Sequence, residues 1–152
     1  MIAPCSTEQM RMVTEYFEYR FGLAASVFAG YSFYSGSNGR VFIGPAAMVD
    51  LEPVETVGIL VARVGRGVKP SSLMFQVFGR YVTANVISLS REQVRRYLAG
   101  GAVELSPEMI GSATDGFVML SYRDQPVACG LLKGTTVKNV LPKEMWLHVD
   151  LL

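Results

Sequence analysis

The sequence predicts an α+β protein, with a small α/β segment over residues 1–52 and a small mixed β barrel with short helices over residues 53–152. Short β-prone runs alternate with short helix patterns along the whole chain. Half of the 152 residues are hydrophobic, which is enough to form a core. The chain has no internal repeat or low-complexity linker, and its character changes only near Pro53, so the boundary is expected there.

The first segment begins with a helix pattern. Ser6 is followed three residues later by Gln9, as in a capping box, and apolar residues then recur at helical spacing up to Gly22. The runs VFAGYSFY and RVFIG flank SGSNG, whose Gly and Asn residues accept the positive φ of a hairpin turn. PAAMVDL is expected to form a short helix that begins at Pro45.

The second segment continues the alternation. VETVGILVARVG is apolar at both alternating sets of positions and predicts a central, largely buried strand, with Arg63 near its end as the exception. PSSLMFQVFG and SREQVRRYLAGG predict helices, the second with Ser90 as N-cap and Gln93 closing a capping box. NVISL predicts a strand, GFVMLSY and PVACGLL a hairpin, and LHVDLL a closing strand.

Several classes of protein are excluded by what the sequence lacks. No apolar run approaches the ~20 residues of a membrane-spanning helix, and the N-terminus lacks a signal-peptide pattern, so a cytoplasmic protein without membrane attachment is expected. Cys5 and Cys129 lie far apart, and His148 is the only histidine. This composition predicts neither a disulfide framework nor a metal site.

Catalytic patterns are also missing. APCS resembles the Pro-Cys nucleophile motif of RNA cytosine-5 methyltransferases, but Cys5 has no preceding strand to position it. The chain contains no glycine-rich strand-to-helix turn for S-adenosylmethionine, and its carboxylates are scattered singly. A non-catalytic binding module without a cofactor is therefore expected.

Charge is distributed unevenly, although the net charge is only +1. Residues 1–55 hold three arginines against six acids, a balance of −3, whereas residues 56–143 hold eleven Lys or Arg residues against five acids, a balance of +6. This asymmetry indicates a polyanionic partner for the second part. On charge alone, a solvated basic face explains it equally well.

Two basic stretches are candidate binding sites. ARVGRGVKP carries Arg63, Arg66 and Lys69 but no nucleotide-binding motif, and its glycines would let the backbone approach a phosphate. A solvated turn explains this stretch equally well.

The second stretch, LLKGTTVKNVLPKE, carries Lys133, Lys138 and Lys143 at a spacing of five residues, which fits neither one helix face nor one strand face. Their clustering is therefore expected to come from a turn that Asn139 and Pro142 fix. By spacing alone, an ordinary basic turn is the better explanation; three cations on a fixed turn would also suit a phosphate backbone.

From Val57 to Glu144 the chain resembles the C-terminal PUA-like RNA-binding domain of Sun/Fmu-type RNA cytosine-5 methyltransferases, the family that includes the nucleolar Nop-two proteins. The resemblance rests on four segments in order: VGILVARV, LMFQVFG, SLSREQVRRYLAGG and DGFVMLSYRDQPVACGLLKGTTVKNVLPKE.

The resemblance implies a PUA-like pseudobarrel that docks on structured RNA. The positions that match the family's two basic edges are Arg63, Lys69, Lys133, Lys138, Asn139 and Lys143. The methyltransferase domain that precedes this module in the family is missing, so modification would need a separate protein. The first ~50 residues also look like the small α/β domains that precede PUA domains in ribosome-biogenesis factors of the Nip-seven type.

Two functions are therefore expected. The first is a non-catalytic protein that binds ribosomal RNA, or alternatively transfer RNA, in RNA modification or ribosome biogenesis, beside a separate RNA methyltransferase or ribosomal protein. The second is an accessory subunit that binds such a protein through the acidic first part. Its candidate contact residues are Tyr16, Phe17, Tyr19, Tyr31, Phe33 and Tyr34.

Overall fold

The computed structural model describes residues 2–45 and 58–146, and the chain divides into two compact units, Met1–Val82 and Thr83–Leu152. Each unit has its own five-stranded sheet with helices, so the predicted α+β class is confirmed. The division differs from the boundary expected at residue 53. The segment that follows residue 57 contributes two strands to the first sheet and therefore belongs to the first unit.

The first unit contains an antiparallel sheet in the order β1-β2-β3-β4-β5. Its strands are β1 (Ala3–Pro4), β2 (Ser32–Ser35), β3 (Arg40–Gly44), β4 (Ile59–Val64) and β5 (Val68–Pro70). Its helices are α1 (Thr7–Phe21) and α2 (Ser72–Phe78), with single 3-10 turns at Ala25–Phe28, Ser37–Gly39 and Gly79–Tyr81. The hairpin predicted around SGSNG is β2–β3, and Asn38 and Gly39 take φ values of 57° and 74° in its turn.

Helix α1 forms as its sequence predicts. The Ser6 hydroxyl accepts a hydrogen bond from the Gln9 N–H at 3.1 Å, and Gly22 ends the helix with a φ of 64°. Phe17 and Phe21 are fully buried, and the Phe21 ring lies 4.9 Å from that of Phe75 in α2, in edge-to-face contact. Aromatic packing between the two helices therefore forms much of this unit's core.

Strand β4 differs from its prediction as a largely buried strand. Val61 and Ala62 are buried, and Arg63 is exposed, the exception that the sequence predicts, but Ile59 and Leu60 are only half-buried. Leu60 packs against the buried side chains of Tyr34 and Phe42 in a small hydrophobic cluster, which buries it only in part. The short helix predicted for PAAMVDL lies outside the described residues after Pro45.

The second unit contains a mixed sheet in the order β6-β8-β9-β10-β7, in which only β6 and β8 pair in parallel. Its strands are β6 (Val86–Ser88), β7 (Val103–Glu104), β8 (Gly116–Tyr122), β9 (Gln125–Lys133) and β10 (Thr136–Asn139). Its helices are α3 (Arg91–Leu98) and α4 (Pro107–Ile110), followed by a 3-10 turn at Lys143–Met145. The predicted closing strand LHVDLL lies outside the described part of the chain.

The predicted caps and hairpin of this unit are confirmed. The Ser90 hydroxyl accepts from the Gln93 N–H at 3.2 Å, while the Gln93 side chain accepts from the Ser90 N–H at 2.8 Å, which completes the capping box of α3. Strands β8 and β9 are joined through Arg123 and Asp124, which both have positive φ, as a tight hairpin turn requires.

Gly130 is required in β9 because no side chain fits there. A Cβ atom at this position would lie 2.5 Å from a Val137 methyl group and 3.1 Å from one of Leu120, both in the buried core. We expect Gly130→Ala to reduce the free energy of unfolding of the second unit by about 1–3 kcal/mol through overpacking. Hydrogen exchange of the β8 and β9 amides would measure this loss.

Gly65→Ala is the matched control, because a Cβ atom there would have no neighbour within 4 Å. We expect it to change stability by less than about 1 kcal/mol. Equal stability of the Gly130→Ala protein and the wild type would show that β9 and β10 are not packed as described.

Candidate nucleic-acid interface

The hairpin of β9 and β10 places two of the predicted lysines side by side. Lys133 lies opposite Thr136 and Lys138 lies opposite Leu131, so the two lysines are diagonal neighbours on one face of the sheet. Both side chains are exposed. The sequence predicts that turn geometry brings these lysines together, whereas in the structure the register of two paired strands does so.

The end of this hairpin is held by two carboxylates. Glu104 accepts hydrogen bonds from the hydroxyls of Thr136 and of Thr135, the latter at 3.1 Å. Asp115 accepts from the N–H of Gly134 at 3.0 Å, and Gly134 turns the chain with a φ of 63°. These contacts fix the backbone beside Lys133 and place two negative charges near it, so the hairpin end is not purely cationic.

Asn139 acts within the fold. Its amide nitrogen donates to the carbonyl oxygens of Tyr97 at 2.7 Å and of Gly101 at 2.9 Å, while its amide oxygen accepts from the Leu141 N–H at 3.0 Å. The side chain is half-buried and uses both amide hydrogens and its oxygen. The sequence predicts Asn139 as an RNA contact. In the structure, its side-chain hydrogen bonds connect the end of β10 to the end of α3.

Tyr97 ties the same region together from inside the core. It is fully buried, its hydroxyl donates to the Cys129 carbonyl at 2.6 Å, and it accepts from the Val140 N–H at 3.2 Å. Burial raises the pKa of the Tyr97 hydroxyl far above its ordinary value, so the group stays neutral. Helix α3 is thereby joined to β9 and to Val140, the residue that follows β10.

The 3-10 turn that begins at Lys143 returns the chain to α3. The Trp146 indole N–H donates to the Leu141 carbonyl at 3.2 Å, and its ring lies against Gly100, where a Cβ atom would come within 2.8 Å of three ring atoms. Lys143 is exposed at the start of this turn. The third predicted lysine is therefore presented by a turn that Trp146 and Asn139 hold in place.

An open groove of about 1150 Å³ runs along α3 and β7. Its lining includes three arginines and two glutamates, namely Arg91, Arg95, Arg96, Glu92 and Glu104. Glu104 joins the groove to the hairpin, since its side chain holds Thr135 and Thr136. These arginines are not among the predicted site residues, because SREQVRRYLAGG indicates a capped helix and carries no binding motif. Their spacing at positions 91, 95 and 96, which places Arg91 and Arg95 about one helical turn apart, was the available signal.

The other predicted cations lie in the first unit. Arg63 in β4 is directly opposite Lys69 in β5, and Arg66 occupies the tip of the hairpin that joins these strands. All three are exposed. The structure therefore brings Arg63 and Lys69 together and places them in a different compact unit from Lys133, Lys138 and Lys143.

Within the described residues, the structure contains neither a candidate metal site nor a helix that could cross a membrane. Across residues 2–45 and 58–146, no group of three or more His, Cys, Asp or Glu side chains could hold a metal ion. In the same ranges, no helix has the length and apolar character needed to cross a membrane. His148 lies outside the described residues.

Cys5 is half-buried, and this burial raises the pKa of its thiol to about 11. A raised pKa keeps the thiol protonated at neutral pH, the opposite of what a nucleophile needs. We expect alkylation by iodoacetamide at about pH 8 to be roughly a hundredfold slower than for a free thiol. Raising the pKa of the thiol from about 9 to about 11 lowers its thiolate fraction about a hundredfold. The rate should rise as the pH approaches 11, as mass spectrometry of the Cys5 peptide would show; rapid labelling at pH 7 would contradict this.

Residues 84–146 match the family described as the methyltransferase RsmF PUA domain, which confirms the predicted Sun/Fmu-type resemblance and the PUA-like fold for this part of the chain. No curated protein matches the chain significantly. A crystal structure of a hypothetical protein from the hyperthermophilic archaeon Pyrococcus horikoshii is similar over 91% of this chain and 92% of its own, with a TM-score of 0.60. The two sequences are 13% identical, so this likeness concerns the fold.

Proposed function

We propose that this chain is a non-catalytic RNA-binding protein that holds structured RNA on its second unit. The observation that carries the proposal is the match of residues 84–146 to a PUA domain family of RNA methyltransferases. The matched segment contains both the groove along α3 and the lysine-bearing hairpin. The proposed contact residues there are Lys133, Lys138 and Lys143, with Arg91 and Arg96 along the groove, while Asn139 positions the backbone between them.

The chemistry of these residues suits phosphate. Lys133 and Lys138 are exposed, lie on one face, and form no hydrogen bond or ion pair through their side chains within residues 2–45 and 58–146. Ammonium groups presented on a rigid hairpin neutralise phosphates and release counterions from the nucleic acid. The guanidinium groups of Arg91 and Arg96 add donors that can bind phosphate in a bidentate manner.

The RNA is proposed to be ribosomal RNA, with transfer RNA as the alternative, in RNA modification or ribosome biogenesis in the cytoplasm. The support is the relation of residues 84–146 to a domain of RNA methyltransferases. Any modification would be carried out by a separate RNA methyltransferase acting on the RNA that this chain holds. The raised pKa of Cys5 supports a non-catalytic role, since the Pro-Cys motif would otherwise be the candidate nucleophile.

Binding of a labelled structured RNA across salt concentrations tests the proposal. Neutralisation of about five phosphates by the second unit contributes about −3.5 to −4.5 to the slope of log affinity against log salt, so affinity should fall roughly 130- to 500-fold between about 50 and 200 mM salt. Fluorescence anisotropy would measure it. An absence of binding at the lowest salt would contradict the proposal.

A second function, as an accessory subunit for a methyltransferase or ribosomal protein, is favoured by one feature of the first unit. Leu73 and Val77 lie one turn apart on α2 and are 42% and 45% exposed, and Tyr81 beyond them is 44% exposed. Such a stripe is typical of a protein contact. Co-purification of a methyltransferase or ribosomal protein that survives nuclease treatment and is lost on Leu73→Gln/Val77→Gln would support this function over RNA binding.

A further inference from the structure

Three cations stand in line across the first sheet. Arg40 in β3 is directly opposite Arg63 in β4, which is directly opposite Lys69 in β5. Residues directly opposite one another in antiparallel strands point to the same face, and neighbouring strands lie about 4.8 Å apart. The sheet therefore carries a row of three positive side chains, here called the basic row.

The basic row lies on the opposite face of the sheet from a row of buried residues. Val41, Ala62 and Pro70, the next residues along the three strands, pair with one another and are buried. Successive side chains of a strand point to opposite faces. Arg63 and Lys69 are accordingly exposed, whereas Arg40 is half-buried.

No acidic side chain among residues 2–45 and 58–82 neutralises the row. Like charges directly opposite each other destabilise a sheet. The side chains of Arg63 and Lys69 form no ion pair or hydrogen bond within the described ranges, which include three acids of α1. Arg40 is held by neutral groups: its Nη2 and Nε donate to the hydroxyl and carbonyl of Ser37 at 2.8 and 3.1 Å, and its guanidinium lies 5.5 Å from the centre of the Phe42 ring.

The adjoining hairpin tip adds a fourth cation and open backbone. Arg66 lies between Gly65 and Gly67, and a Cβ atom at either glycine would meet nothing within 4 Å. Neither glycine has a φ in the left-handed region. Neither packing nor backbone conformation thus requires glycine here, whereas close approach of a phosphate to the main chain would benefit from it.

We infer that the basic row and the hairpin tip form a second site for the sugar-phosphate backbone of RNA, made by Arg40, Arg63, Arg66 and Lys69. The inference rests on the proposed function for the identity of the polyanion. It goes beyond that function by giving the first unit a binding role of its own. Because these contacts go to phosphates, the site is expected to bind RNA without base preference.

The test is an Arg63→Gln/Lys69→Gln variant of the full chain, titrated with the same labelled RNA across salt concentrations. Loss of two phosphate contacts should make the slope of log affinity against log salt shallower by about 1.4 to 1.8. Arg11→Gln/Arg123→Gln removes the same charge from exposed positions outside both proposed sites, and this control should keep the wild-type slope.

The outcomes separate this inference from the proposed function. An unchanged slope in Arg63→Gln/Lys69→Gln, with the slope reduced when lysines of the second unit are replaced, would overturn the inference alone. A reduced slope in Arg63→Gln/Lys69→Gln, with an unchanged slope when the second-unit lysines are replaced, would overturn only the assignment of the second-unit hairpin as the contact surface. If the wild type binds no RNA, both fail.

A single change at the hairpin tip guards against misfolding. Arg66 is exposed and its side chain contacts no other described residue through a hydrogen bond or ion pair, so Arg66→Gln should leave thermal unfolding unchanged. It should still make the slope shallower by about 0.7 to 0.9. If the double variant unfolds, this variant decides: an unchanged slope overturns the inference.

Discussion

A Lys133→Gln/Lys138→Gln/Lys143→Gln variant is expected to lose a large part of the salt-dependent affinity of the chain for structured RNA. Each lysine that neutralises a phosphate contributes about 0.7 to 0.9 to the slope, so the triple change should make it shallower by about 2 to 3. At about 50 mM salt the affinity should fall by tenfold or more. Fluorescence anisotropy on wild type and variant in parallel measures both quantities.

The matched control removes three positive charges elsewhere. Arg11→Gln/Arg80→Gln/Arg123→Gln changes the net charge equally at exposed positions outside the proposed sites. If both triple variants lose affinity equally, binding follows overall charge, and the assignment of the hairpin as the contact surface is wrong.

Tyr97→Phe is expected to destabilise the second unit more than removal of any exposed hydroxyl. The change removes the group that donates to the Cys129 carbonyl and accepts from the Val140 N–H, at a position that is fully buried. A lost buried hydrogen bond with partners left behind costs about 1–3 kcal/mol. Hydrogen exchange of the β9 and β10 amides would report the loss where it occurs.

Tyr19→Phe makes the same chemical change at a side chain that is 93% exposed. It should alter stability by less than about 0.5 kcal/mol. If Tyr97→Phe were equally mild, the hydroxyl would not join α3 to the hairpin, and the rigidity ascribed to the lysine-bearing strands would lose its physical basis.

The elements that the sequence predicts correctly depend on local chemistry. The caps at Ser6 and Ser90 and the end at Gly22 follow from groups within three or four residues of one another, so they are visible in the sequence. The β2–β3 and β8–β9 hairpins are equally local, since a turn of Gly, Asn or Asp residues separates two apolar runs.

What the sequence does not predict depends on pairing between distant segments. The sequence predicts a basic turn where β10 lies, because TVKN is short and polar and becomes a strand only by pairing with both β9 and β7. The division at Val82 follows from the pairing of β4 with β3, which no local pattern near Pro53 reveals.

The candidate site likewise depends on contacts between distant segments, which the sequence does not predict. Residue type in the sequence identifies Arg63 and Lys69 as candidates, but their alignment with Arg40 depends on strand register. A slip of one residue in that register would turn the side chains of a strand to the other face of the sheet. Asn139 is a predicted RNA contact because it lies among lysines in the sequence. Its side-chain hydrogen bonds, however, reach Tyr97 and Gly101, some forty residues earlier in the chain. Residue type identifies candidate contacts, but only the structure shows which side chains are exposed and which, like Asn139, are half-buried and hydrogen-bonded within the fold.

Hydrogen exchange of the full chain with and without saturating structured RNA tests the central claim most directly, because it locates the contact surface without altering the protein. RNA bound to the second unit should slow exchange in residues 131–139 and along α3, over Arg91–Leu98. If RNA binds and exchange in both segments stays unchanged, the proposed interface on the second unit is wrong.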